Sequence, residues 1–187
     1  MEYFNNLFNV LNDSIITDFE QISISFENGI DEIIKCFNNI EAKKVISIGN
    51  GGSAAIASHL ANDLCKTDNI KAICFSDYSY NTCMANDFGY ECVYEKGIEM
   101  FADEGDILIA ISSSGNSENI IRATNKAKEK GCKVITLSGF NEDNKLRAKG
   151  DINIYIPKEH YGYVELCHQI ILHMITDTIG EAKKINE

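Results

Sequence analysis

Five short runs of apolar, largely β-branched residues constrain this chain more than any other feature: Val45–Ile48, Ala72–Phe75, Ile107–Ile111, Val134–Leu137 and Ile152–Ile156. A strand with one wet face alternates apolar and polar residues, whereas a run such as Ile107-Leu108-Ile109-Ala110-Ile111 is apolar on both faces. Helical patterns separate the runs, at Glu91–Ala102, Ser117–Lys130 and Val164–Ile179. Strands alternating with helices predict an α/β fold, a parallel sheet covered by helices on both sides. Ahead of them, Leu7, Val10, Leu11, Ile15 and then Ile22, Phe26, Ile30, Ile33, Ile34, Phe37 recur at helical spacing. Residues 2 to about 40 are therefore expected to form two helices, packed on the domain or at an oligomer contact. No Gly/Pro-rich linker follows them, and 187 residues suit one domain spanning 1–187.

Two of the strand ends are unusual. The first run stops at Gly49-Asn50-Gly51-Gly52-Ser53 and opens an Ala-rich helix, Ala54 to Leu64. Ser53 stands where an N-cap belongs, and a helix N-terminus with free amides is a natural phosphate site. His59 and Asp63, at i and i+4, share a face of that helix and can bind metal or move protons. The run ending at Ile111 continues as Ser112-Ser113-Ser114-Gly115-Asn116-Ser117, again entering a helix. Ligands of open α/β sheets sit beyond the carboxyl ends of the strands, where the strand order switches. Two hydroxyl- and amide-rich turns at such ends predict one shared anion pocket. Gly49-x-Gly51-x-x-Ala54 also fits a relaxed dinucleotide fingerprint. That motif wants an acidic residue at the end of the next strand, and Asp77 comes late for it. No Gly-Lys-Ser/Thr follows any strand, so a P-loop is excluded.

The last helical pattern carries Glu165, His168 and His173, which lean toward one broad face. Together with His59 and Asp63 they offer a His, Asp and Glu set suited to a divalent cation, zinc above others. A net charge of −11 argues against nucleic acid and against an anionic membrane as partner. A small anion can still bind through local amides and hydroxyls. Seven cysteines without a CxxC pair suit reduced thiols. With no signal-like or bilayer-length apolar segment visible, the expected location is the cytoplasm.

These stretches resemble the sugar isomerase (SIS) domain family, and within it the phosphoheptose isomerases. The likeness rests on Gly49–Ser53, His59–Leu64, Asn86-Asp87-Phe88-Gly89-Tyr90, Gly105–Ser117 and the closing helix. It implies a three-layer α/β/α sandwich, flavodoxin-like, around a five-stranded parallel sheet, assembled as a homotetramer. It implies that a sugar phosphate is held by Asn50, Gly51, Gly52, Ser53, Asn86, Asp87, Ser112, Ser113, Ser114 and Ser117. It further implies one zinc per site on His59, Asp63, Glu165 and His173. The implied reaction converts a ketose phosphate into an aldose phosphate through an enediol, with Asp63 as base and His173 as acid. The family has Glu where Asp63 stands and Gln where Glu165 stands, so Glu165 is a second candidate for the base. The loop Cys65–Ile70 is shorter than the family's and lacks its arginine. The alternative reading is a SIS-domain phosphosugar sensor or regulatory protein without catalysis.

Overall fold

The computed structural model describes residues 1–40, 43–66 and 69–185, the last four of these by backbone alone. Two positions of the shortened loop, 67 and 68, thus lie outside the described residues. The chain runs α1 (Glu2–Asn12), β1 (Ile15–Asp18), β2 (Ser23–Ile24), α2 (Phe26–Asn38), β3 (Val45–Ile48) and α3 (Gly52–Lys66). It continues through β4 (Ala72–Cys74), α4 (Tyr78–Phe88), a 3-10 turn at Tyr90–Cys92, α5 (Val93–Phe101) and β5 (Ile107–Ser112). The last elements are α6 (Glu118–Glu129), β6 (Lys133–Gly139), β7 (Ile152–Ile156) and α7 (Tyr161–Ile185).

All five apolar runs are strands, and they lie parallel in the order β4-β3-β5-β6-β7. Successive residues of β5 serve opposite faces, as a period of two demands. Ile107, Ile109 and Ile111 join a core with α1, α2, α3 and α7, while Leu108 and Ala110 join one with α5 and α6. Both faces are buried, which is why these strands read as continuous apolar runs.

The sheet has seven strands rather than the expected five. The extra two come from the segment assigned to helices: β1 pairs antiparallel with β7, and β2 with β1. Ile15 and Ile22 are thus not helical. Ile15-Ile16-Thr17 is β-branched at every position, which favours a strand over a helix. Asp18 then makes the turn, its Oδ1 accepting from the N–H groups of Glu20 and Ile22 at 2.9 Å each. The hairpin also covers the β7 edge that a five-stranded sheet would leave open.

Two helix starts differ from expectation. Helix α4 has no fully buried residue and sets only Tyr80, Met84 and Ala85 against the core, so periodicity marks it weakly. Its cap does: Asp77 Oδ1 accepts from the Tyr80 N–H at 2.8 Å. Asp77, a candidate ribose ligand under the dinucleotide reading, is thus a helix cap. Helix α3 starts at Gly52, two residues before the Ala54 start that a Ser53 cap requires. Gly51, with a φ of +54°, makes the turn instead. Ser53 falls inside the first turn and is buried.

Candidate active site

The strand order reverses between β3 and β5, because the chain leaves β3 for β4 on one side and returns to β5 on the other. The carboxyl ends of these two strands carry Gly49–Gly52 and Ser113–Ser117, so both unusual turns open at the switch point. A cavity of about 120 Å³ lies there, lined by Asn50, Ser53, Ser112, Ser113, Ser114, Ser117, Tyr161 and Glu165. Three helices begin on it, α3 at Gly52, α6 after Ser117 and α7 at Tyr161. Each contributes free N–H groups and the positive end of its dipole. A chain with a net charge of −11 thus places an anion-seeking pocket at its topological centre.

Internal hydrogen bonds hold the pocket in shape. Asn50 and Asn119 exchange amide hydrogen bonds, Nδ2 to Oδ1 in each direction at 2.9 Å, tying the β3 turn to the first turn of α6. The Tyr90 hydroxyl donates to Asn50 Oδ1 at 2.9 Å, and the Tyr94 hydroxyl donates to the Gly49 carbonyl. Burial, with lesser effects of Tyr90 and Cys74, pushes Tyr94 up to about 12, so it stays a donor at neutral pH. Sequence reasoning missed Asn119, Tyr90, Tyr94 and Tyr161. Their roles arise from elements that meet only in the fold, and no spacing announces them.

In the serine turn, Ser112 Oγ donates to Ser117 Oγ at 3.2 Å, and Ser114 Oγ accepts from the Asn116 N–H at 3.3 Å. Ser113 differs. Its side chain is buried in the pocket wall, and its Oγ has no hydrogen-bond partner. A buried hydroxyl without a partner is costly, and this one belongs to a residue of the cavity wall. Gly115 holds a φ of +63°, and a Cβ there would overlap the Asn144 side chain. That carboxamide donates to the Asn141 carbonyl at 2.8 Å and accepts from the Arg147 N–H at 3.0 Å, fixing the floor of the turn.

The second group of candidates sits farther along α3 and α7, which pack side by side over one face of the sheet. His59 Nε2 lies 3.2 Å from Asp63 Oδ2, and His173 Nδ1 lies 3.5 Å from the same oxygen. The two imidazoles meet edge to face with centroids 4.8 Å apart. Ligand atoms of a tetrahedral zinc stand about 2 Å from the ion and therefore about 3.3 Å from each other. The two separations from Asp63 bracket that value and all three donor atoms lie within 4.8 Å of one another, so a small shift of the side chains would let this set hold a small divalent cation.

The remaining expectations fare differently. Glu165 is half-buried, and its carboxylate packs against Gly52 closely enough that a Cβ there would overlap it. It lines the serine pocket, and among the described residues the metal-competent group is His59, Asp63 and His173 without it. Asn86 and Asp87 close the exposed end of α4, bonded to each other at 2.8 Å, and neither lines the pocket. His168 does not share the face of Glu165 and His173. It is fully buried toward the sheet, its Nε2 placed 3.1 Å from the Ser138 carbonyl oxygen. Burial drives it down to about 4, with the Ser138 contact opposing, so it is a neutral core histidine.

The sequence profile of the SIS domain matches residues 2–139, which include both turns and the His59/Asp63 helix. The chain belongs to the SIS domain family. Among its SIS relatives, the phosphoheptose isomerase of Proteus mirabilis is 42% identical over 144 residues, 73% of each chain. That of Photorhabdus laumondii is equally identical over the same span. Two solved phosphoheptose isomerases share the fold along nearly their whole length. The Neisseria gonorrhoeae structure has a TM-score of 0.82 at 27% identity, covering 95% of this chain and 96% of that one. The Francisella tularensis structure has a TM-score of 0.83 at 26% identity, covering 96% and 95%. The profile of this SIS domain ends before α7, the helix that carries Glu165 and His173.

Proposed function

We propose that this SIS domain is a phosphosugar isomerase that interconverts a ketose phosphate and an aldose phosphate, of the sedoheptulose 7-phosphate to heptose 7-phosphate type. The observation that carries the reading is the convergence of three helix N-termini and five serines on one pocket, on the face that also bears His59, Asp63 and His173. The identity of 40–42% to proteins named phosphoheptose isomerase supports the same reaction class.

Catalysis follows from that layout. The phosphate sits among Ser53, Ser113, Ser114 and Ser117, where amides and hydroxyls meet it without a lysine or arginine. His59 lies six residues beyond Ser53, about 9 Å along α3. That span suits a sugar whose carbonyl lies several carbons from its phosphate. Isomerisation needs a base that takes the proton from the hydroxymethyl carbon and an acid that protonates the neighbouring carbonyl oxygen. The resulting enediol collapses to the aldehyde as its hydroxyl proton leaves and the adjacent carbon receives one. Asp63 fits the base and His173 the acid, while Glu165 lines the serine pocket. His59, Asp63 and His173 would hold a divalent cation, zinc by donor type, which supplies polarisation of the carbonyl when bound. Exposed Phe4, Phe8, Ile170 and Met174 on α1 and α7 support assembly of copies, a homotetramer in our reading. No described helix is long and apolar enough to cross a membrane.

The test is turnover. Metal-loaded protein mixed with sedoheptulose 7-phosphate and related ketose phosphates should yield the aldose phosphate by chromatography or coupled assay. Absence of product on every ketose phosphate overturns the isomerase. Thermal stabilisation by the same compounds without turnover would then identify a phosphosugar sensor.

A further inference from the structure

Among the described residues that line the serine pocket, Asn50 alone carries a side-chain amide. Turned one way an amide offers N–H groups, and turned the other it offers carbonyl lone pairs. A backbone donor two residues away in the network decides which. The Ile120 N–H can only donate, and it points at Asn119 Oδ1 at 3.0 Å, so that end of the buried Asn119 carboxamide is the oxygen. Asn119 Oδ1 also accepts from Asn50 Nδ2, and Asn119 Nδ2 donates to Asn50 Oδ1, both at 2.9 Å. The Tyr90 hydroxyl is the second donor to Asn50 Oδ1, at 2.9 Å. Two donors fill both lone pairs of that oxygen, so the group Asn50 has left to offer is its second Nδ2–H.

We propose that Asn119 and Tyr90 are positioning residues that lock Asn50 as a hydrogen-bond donor to the phosphate of the substrate. This rests on the phosphate role assigned to the serine pocket above. A phosphate ester above its second pKa of about 6 has lost its protons and only accepts, while the locked amide only donates. An unlocked amide could turn over and set its oxygen against the phosphate oxygens. The lock therefore selects for oxygens that accept and against ammonium groups, which only donate. It also ties recognition to the 3-10 turn at Tyr90–Cys92, none of whose residues lines the pocket.

The test is nuclear magnetic resonance on the full chain, isotope-labelled at asparagine and glycine nitrogen, with the Asn50 side-chain signals assigned by their loss in Asn50→Ala. Sedoheptulose 7-phosphate should shift one of the two Asn50 Nδ2 protons downfield and leave the other, which is bonded to Asn119, in place. Turnover does not interfere, because substrate and product carry the same phosphate. Tyr90→Phe keeps the ring and removes the donor, so it should shrink that shift and weaken binding about five-fold by calorimetry. Asn119→Ala removes both the donor and the acceptor and should weaken binding about ten-fold. If that variant does not fold, Tyr90→Phe decides alone. A ligand that moves the Gly51 and Gly52 amides while both Asn50 protons stay put overturns the proposal. So does a Tyr90→Phe protein whose Asn50 shift and affinity match the parent's. If neither sedoheptulose 7-phosphate nor inorganic phosphate moves any of these signals, the phosphate role of the pocket itself is wrong.

Discussion

His168 stabilises the fold only while it is neutral, and that makes a measurable pH dependence. The ring is buried, with Nε2 against the Ser138 carbonyl and Nδ1 without a partner. Folding therefore moves it from an ordinary 6.5 down to about 4. Between those values the unfolded chain binds a proton that the folded chain refuses. The stability it contributes is present above pH 6.5 and is lost as the pH falls toward 4. Each unit of that window is worth about 1.4 kcal/mol, so going from pH 7 to pH 5 removes about 2 kcal/mol through this residue. Acidification also relieves the repulsion of a chain with a net charge of −11, which works in the opposite direction. A difference between two proteins cancels that background. His168→Gln keeps a donor near the Ser138 carbonyl and does not titrate. Urea unfolding of metal-free parent and variant, at one protein concentration and pH 5, 6, 7 and 8, isolates the histidine. The parent should lose about 2 kcal/mol more than the variant between pH 7 and 5. Equal losses would refute the claim that this imidazole is held neutral by burial.

Other perturbations probe the pocket, the trio and the frame. Ser113→Ala removes a hydroxyl that has no partner, so melting should change little while phosphate affinity falls about ten-fold, measured by calorimetry. Replacing His59 or Asp63 with Ala should abolish binding of one zinc per chain by metal analysis, and chelation of the parent should leave a protein that zinc restores. Gly115→Ala combines a φ of +63° with overlap on Asn144 and should cost about 2 kcal/mol or more in urea unfolding. Lys44→Met strips the cation from Asp106, whose carboxylate is 1% exposed and 2.6 Å from Lys44 Nζ, and should cost about 3 kcal/mol in the same assay.

The sheet was legible because burial on both faces leaves no ambiguity in the strands. Val45–Ile48 and Ile152–Ile156 have the bounds that their composition predicts, two others differ by one residue at one end, and β6 runs one residue longer at its start and two at its finish. The N-terminal segment misleads for a physical reason. Its apolar residues serve α1, a short hairpin and α2 in succession, and the spacing across Ile15 and Ile22 mimics a helix although Ser14 and Asp18 break it. Helix α4 shows the opposite failure, since a helix that sets only Tyr80, Met84 and Ala85 against the core has little stripe to read.

The pocket and the trio differ in how far sequence reaches them. Both turns of the serine pocket are local, each a strand end followed by a helix start, so residue types alone define them. His59 and Asp63 are local too, one helical turn apart. His173 is not, because its place beside Asp63 depends on α7 crossing the sheet next to α3, a contact between residues 110 positions apart. Spacing within α7 assigns Glu165, His168 and His173 to one broad face, and the fold sends them three ways: to the pocket, to the core and to Asp63. The eight residues from Glu165 to His173 put about 12 Å of helix between them. That length separates a carboxylate at the phosphate end from imidazoles at the other. Under the proposed function, a substrate lying between them would have its charge recognised at one end of α7 and its protons moved near the middle of it.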